Sequence, residues 1–243
     1  MLKTYGIVSG LAPKGAVTMK SALLSVAANK GLQVEVAMDD RIPPVDAPDA
    51  RTALADRKIT VMDAVSALAG EGVAAVLVAG LQAQTFLSEV QTETQVPVVS
   101  LWNAVAEYAQ KKGVTKIGVL GGLDATEKKS LVGVYAGIEL VFPSDEIGCC
   151  SNPEDRATHA VRVAEDLKAQ GAELLLPWCE HAVEALAVLE GKGFPVCNPY
   201  VLVGEYVVER DWKRLAKPFK VGMIGGLGPA ATVDLYDKIT RFT

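Results

Sequence analysis

"IGVLGGLDAT", Ile117–Thr126, is an apolar run that ends in two glycines and opens into a helix-compatible segment. It reads as a buried strand, a tight turn and a helix start. The same arrangement occurs in "YGIVSGLAP" at Tyr5–Pro13 and in "VGMIGGLGPAAT" at Val221–Thr232. Gly6, Gly118 and Gly222 hold equivalent places in the three copies. The chain therefore reads as two similar half-units followed by the opening of a third.

The runs between these copies set the fold class. "LQVEVAM", "VAAVLVAG", "VPVVSL", "IELVFPS", "AELLLPWC" and "FPVCNPY" are short and nearly continuous in apolar residues. Stretches such as Thr60–Ala69 and Asp155–Gln170 separate them, with apolar residues at helical spacing. Strands buried on both faces have this character, and their alternation with helices implies parallel sheets. The expectation is an α/β protein of two pseudo-symmetric half-domains, each a mostly parallel sheet flanked by helices. The first half spans residues 1–100, with a return contribution from about 200–216. The second spans 101–199, and 217–243 begins a further unit.

Composition narrows the class of partner. With 24 Lys plus Arg against 29 Asp plus Glu, the formal charge is −5, which argues against nucleic acid or an anionic membrane. No apolar run approaches the roughly 20 residues of a membrane span, and the start lacks the pattern of a signal peptide. The four cysteines, Cys149, Cys150, Cys179 and Cys197, show no metal-ligand spacing. A reduced, cytoplasmic protein without a metal is expected.

The glycine turns invite a dinucleotide reading, because Gly226-Leu227-Gly228-Pro229-Ala230-Ala231 fits G-x-G-x-x-A. That fingerprint also requires an acidic residue about 20 positions on, and the first two copies lack the spacing. Two readings of the turns stay open. One is a seat for a carboxylate or phosphate built from backbone N–H groups. The other is simple permission for a tight strand-to-helix connection.

"VGMIGGLGPAATVDLYDKI", "VPVVSLWNAVAEYAQKKGVTKIGVLGG", "GIELVFPSDE" and "GAELLLPWCEHA" together resemble the aspartate/glutamate racemase family. The resemblance runs along the whole chain, weakly in the first half and better in the second. It implies a cofactor-independent enzyme in which one cysteine from each half flanks the substrate α-carbon. One thiolate removes the α-proton and the opposite thiol returns a proton to the other face. Cys179 takes the place of the second-half cysteine, at a strand end where a following helix favours the thiolate. The alternative for Cys179 is an inert, buried thiol. Gly80 stands where the family has its first-half cysteine, and Gln84 where it has a histidine. Neither residue carries a proton at neutral pH, so a two-thiol racemase cannot be assembled from this chain's own halves.

The resemblance also implies ligand contacts. These are Gly10 and Pro13 at the first glycine turn, Thr126 as helix N-cap and carboxylate donor, Ser130 one turn on, and Glu180 and His181 after Cys179. Lys128 or Lys129 adds positive charge. Arg41 or Arg51 is the candidate for holding a side-chain carboxylate, and spacing does not choose between them. A solvated surface role is the alternative for both arginines and for His181. Cys149, Cys150 and Cys197 read as packing residues.

Three functions follow from the resemblance. The first is racemisation of an amino acid or related small carboxylic acid, with the missing thiol supplied from elsewhere. The second is a one-cysteine enzyme such as a decarboxylase. The third is a non-catalytic copy that binds a small acid. A homodimer without cofactor is expected. The tail from Lys220 reads either as the start of a tandem copy or as a permuted first element, and docking of that tail on a sheet edge is expected.

Overall fold

The computed structural model describes residues 2–44, 49–144 and 153–216, excepting the side chains of residues 126 and 153–155. Cys149, Cys150 and the tail at 217–243, on which several sequence readings rest, lie outside the described residues. The first sheet has four parallel strands, β1 (Lys3–Val8), β2 (Val34–Asp39), β3 (Val76–Val78) and β4 (Val98–Val99), in the order β2-β1-β3-β4. Helices α1 (Pro13–Asn29), α2 (Ala50–Gly70), α3 (Leu87–Gln91) and α4 (Leu101–Lys111) accompany it. The second sheet has three parallel strands, β5 (Lys116–Leu120), β6 (Glu139–Val141) and β7 (Leu174–Pro177), in the order β6-β5-β7. Its helices are α5 (Ala125–Val134), α6 (Pro153–Ala169) and α7 (Glu180–Gly191), followed by α8 (Pro199–Val208). The α/β reading with two parallel sheets holds.

The continuous apolar runs have a direct cause. Along β1 and β3, Tyr5, Ile7 and Leu77 join the buried cluster containing α1, α4 and α8. Val8, Val76 and Val78 point the other way, into the cluster under α2 and α3. Both faces are covered, so the buried positions of β1 and β3 carry no charged side chain. The second sheet repeats the device. Ile117, Val119, Leu174 and Leu176 pack on one side, and Leu120 and Leu175 on the other against Val163, Leu167 and Leu189. Each fully buried aliphatic side chain contributes about 1.5–3 kcal/mol of transfer free energy.

Helix α8 packs back onto the first sheet's helices α1 and α4. Tyr200, Val203 and Val207 are buried with Met19 and Leu23 of α1 and Ala104 of α4. Gly15 of α1 makes room for this, since a Cβ there would lie 2.5 Å from Cζ of Tyr200. Asn198 caps α8 by accepting from the Tyr200 N–H. Among the described residues, no helix is long and apolar enough to cross a membrane.

Candidate active site

Strands β3 and β7 end in the same way. The Ala79 N–H donates to the Val8 carbonyl at 2.9 Å, and the Trp178 N–H donates to the Leu120 carbonyl at 3.0 Å. These bonds carry each parallel ladder one step past its strand, and the next residues are Gly80 and Cys179. Both line one cavity of about 1040 Å³, together with Gly10, Ser130, Glu180 and His181. Carboxyl ends of parallel strands, followed by helix N-termini, are the usual ligand side of such sheets.

Cys179 is the N-cap of α7, in extended conformation, and its side chain does not cap the helix. It is half-buried. Trp178 before it is buried and stacks on Trp102 with ring centroids 5.1 Å apart, which fixes the approach to the cysteine. Cys197 is a contrasting thiol. It is buried, donates to the Leu175 carbonyl at 3.3 Å, and burial pushes its pKa up to about 12. That thiol is a packing residue, as its sequence context suggested.

Gly80 is buried against Leu11. A Cβ at position 80 would sit 3.1 Å from Leu11 Cβ and 3.5 Å from Ala83 Cβ. Gln84 does not face the cavity. Its amide donates to the Val78 and Gly80 carbonyls at 3.1 and 3.2 Å and accepts from the Leu101 N–H at 2.8 Å. The expectation that it contacts ligand is replaced by a structural role, joining the end of β3 to the start of α4. Gly10 lines the cavity but is required by crowding, since a Cβ there would lie 1.8 Å from the Arg41 carbonyl oxygen. Pro13 opens α1 as its first residue and is not part of the lining.

The cation assignments also change. Arg41 is held by Asp39 at 3.3 Å and is absent from the lining, as is the exposed Arg51. The cations that line the cavity are Arg57 and Lys58. They belong to one face of α2, where Ala50, Ala53, Leu54, Arg57 and Lys58 recur at helical spacing and all line the cavity. Arg51 is one residue off that face. Lys58 is engaged by both oxygens of Glu89, at 2.7 and 2.8 Å. Arg57 reaches the Gln82 side-chain oxygen at 3.5 Å, and no carboxylate of the described residues pairs with it.

The lining carboxyls have their own partners. Asp49 caps α2 through the Thr52 N–H at 2.8 Å, and this holds it below the usual carboxylate range. Asp124, not Thr126, is the N-cap of α5, in a reciprocal capping box with Glu127. The Thr126 side chain lies outside the described residues. Lys128 sits over the Phe142 ring at 5.0 Å, and neither it nor Lys129 lines the cavity. Glu180 accepts a short hydrogen bond from the Tyr200 hydroxyl. Burial raises its pKa above the ordinary value, against the lowering influence of the Tyr200 hydroxyl and the nearby Leu81 N–H. Among the described residues there is no His, Cys, Asp and Glu cluster suited to a metal ion.

Residues 8–180 match the Asp/Glu/Hydantoin racemase family. The chain belongs to that family. Among curated proteins no match is found. Among solved structures, an aspartate racemase homologue from Pyrococcus horikoshii OT3 is 21% identical, with a TM-score of 0.65 over 85% of this chain and 98% of that one. An allantoin racemase from Klebsiella pneumoniae is 18% identical, with a TM-score of 0.59 over 92% and 96%. Arylmalonate decarboxylase is 15% identical, with a TM-score of 0.50 over 85% and 91%. At these identities the family member shares the fold of the three structures.

Sequence reading therefore located the strand ends, with Gly80, Cys179, Glu180, His181 and Ser130 beside one cavity. It missed Arg57, Lys58 and the capping pair Asp124 and Glu127. The helical face starting at Ala50 was the available signal for the two cations.

Proposed function

We propose that this family member moves a proton at the α-carbon of a small carboxylic acid, with Cys179 as the thiol that does so. The observation that carries the reading is the pairing in one cavity of Cys179, at the N-terminus of α7, with Arg57 of α2. An α-proton is removed only if the resulting negative charge is stabilised. The N-terminal end of α7, which no side chain caps, favours such charge, and Arg57 suits a carboxylate at the other end of the ligand. No cofactor enters this chemistry. The matched family supports the reading by its class of reaction.

A glycine in place of the first-half thiol favours a second reading, a decarboxylase in which one thiol protonates the carbanion left by loss of carbon dioxide. The two readings separate cleanly. Uptake of solvent deuterium into L-aspartate or L-glutamate, lost in Cys179→Ser, supports proton exchange. Carbon dioxide release from phenylmalonate, with no exchange into amino acids, supports the decarboxylase. Neither reaction occurring would defeat both.

A further inference from the structure

The cavity contains a second group able to carry a proton, and it belongs to the half of the chain that already supplies Cys179. Glu180 lines the cavity as the first residue of α7. Its carboxyl is partly buried and has a fixed partner. Tyr200, fully buried in α8, donates its hydroxyl to one oxygen, and the carboxyl feels the nearby Leu81 N–H, which acts to lower its pKa. That N–H belongs to the peptide joining Gly80 to Leu81, and both residues line the cavity with Glu180, so the carboxyl lies near the place where a first-half thiol would start. Glu184, four residues on along α7, is the other acidic group near it, and Lys14 of α1 engages that carboxylate at 2.8 Å.

We propose that Glu180 is the acid–base group on the Gly80 side of the cavity, so that a thiol and a carboxyl form the pair that two thiols would otherwise make. The inference rests on the proton-transfer reading above. In one direction the Cys179 thiolate takes the α-proton, breaking a C–H bond and leaving an enolate and a neutral thiol. The neutral Glu180 carboxyl then gives its proton to the α-carbon, forming a new C–H bond and leaving a carboxylate. Nothing is oxidised or reduced. A proton returning from thiol to carboxylate through solvent resets the site, and the opposite direction exchanges the two roles.

Two features of the surroundings suit this work. Burial shifts the Glu180 carboxyl toward its protonated form relative to an ordinary carboxylate, the direction a proton donor needs. The buried Tyr200 hydroxyl is a fixed donor for the carboxylate that forms afterwards.

The test follows deuterium uptake and inversion separately, in deuterated water, with L-aspartate, L-glutamate and L-5-methylhydantoin as probes. The proteins are wild type, Glu180→Gln, and Glu180→Gln combined with Gly80→Cys. Wild type should exchange and invert a probe. Glu180→Gln should still exchange, with retention, while inversion falls by about 100-fold or more. The added thiol should recover inversion. Glu180→Gln inverting at the wild-type rate overturns the inference. Wild-type exchange without inversion overturns it too and leaves the proton-transfer reading standing, whereas no exchange with any probe defeats both. Tyr200→Phe, which leaves Glu180 in place, covers a misfolded Glu180→Gln. Loss of that donor should move the pH profile of inversion upward, and an unmoved profile contradicts the assignment.

Discussion

Gly80 and Cys179 line one cavity from matching places, each the second residue past the end of a parallel strand, β3 beside β1 and β7 beside β5. In the first position the chain offers no side chain, and in the second a thiol at a helix N-terminus. The asymmetry between two similar half-units organises the remaining expectations.

Gly80→Cys tests the space at the empty position. The new Cβ meets Leu11 at 3.1 and 3.3 Å, closer than ordinary contact. The substitution should cost about 1–3 kcal/mol in urea unfolding. Leu11→Ala in the same chain removes the 3.3 Å contact but keeps Cβ, so it should relieve only part of that cost. A fully stable Gly80→Cys would show that the loop after β3 yields easily.

Gln84 should behave as a structural residue. Gln84→Leu leaves the Leu101 N–H and two carbonyls without their partner. Loss of one buried bond of this kind costs about 1–3 kcal/mol. Chemical denaturation should show that loss, while protection of Cys179 from alkylation by bound acid should stay near wild type once folding is confirmed.

Arg57 should govern the affinity for dicarboxylates. Protection of Cys179 from iodoacetamide by aspartate should need about 10- to 100-fold more ligand in Arg57→Gln, the equivalent of one charge-assisted bond of about 1.5–3 kcal/mol. Arg41→Gln and Arg51→Gln should change it little. Equal effects from all three would mean a diffuse field and no specific contact.

These contrasts show what was legible in the sequence. The run Val73–Gly80 around β3 declared itself because both faces are buried, so apolar character is continuous. The strand ends followed, and with them Gly80 and Cys179. Arg57 was obscured because the helical face toward the cavity becomes visible only once the helix is known to start at Ala50. Gln84 misled because a polar residue near a site reads the same whether it meets ligand or backbone. The Glu180–Tyr200 contact joins the start of α7 to α8, and no local pattern encodes it.

Stability should carry the mark of Glu180. Its folded-state pKa is raised, with burial the largest cause. The folded protein therefore holds the proton more tightly than the unfolded chain, and the stabilisation is fully present below the ordinary carboxylate pKa. It is lost as pH rises through the raised value. Other carboxyls, such as Asp166 and Glu173, are shifted the opposite way, so the comparison must be by difference. Thermal unfolding of wild type against Glu180→Gln should show a gap that changes with pH in favour of the variant on the alkaline side. A gap independent of pH would place the carboxyl in water.

The central claim is that Cys179 carries a proton to or from the α-carbon of a small acid. The most direct measurement is uptake of solvent deuterium into L-aspartate and L-glutamate, followed by proton NMR, with wild type and Cys179→Ser compared at equal folded concentration. The account predicts that wild type takes up deuterium at the α-carbon of at least one of them and that Cys179→Ser falls to the uncatalysed rate. Cys179→Ser exchanging as fast as wild type would contradict it.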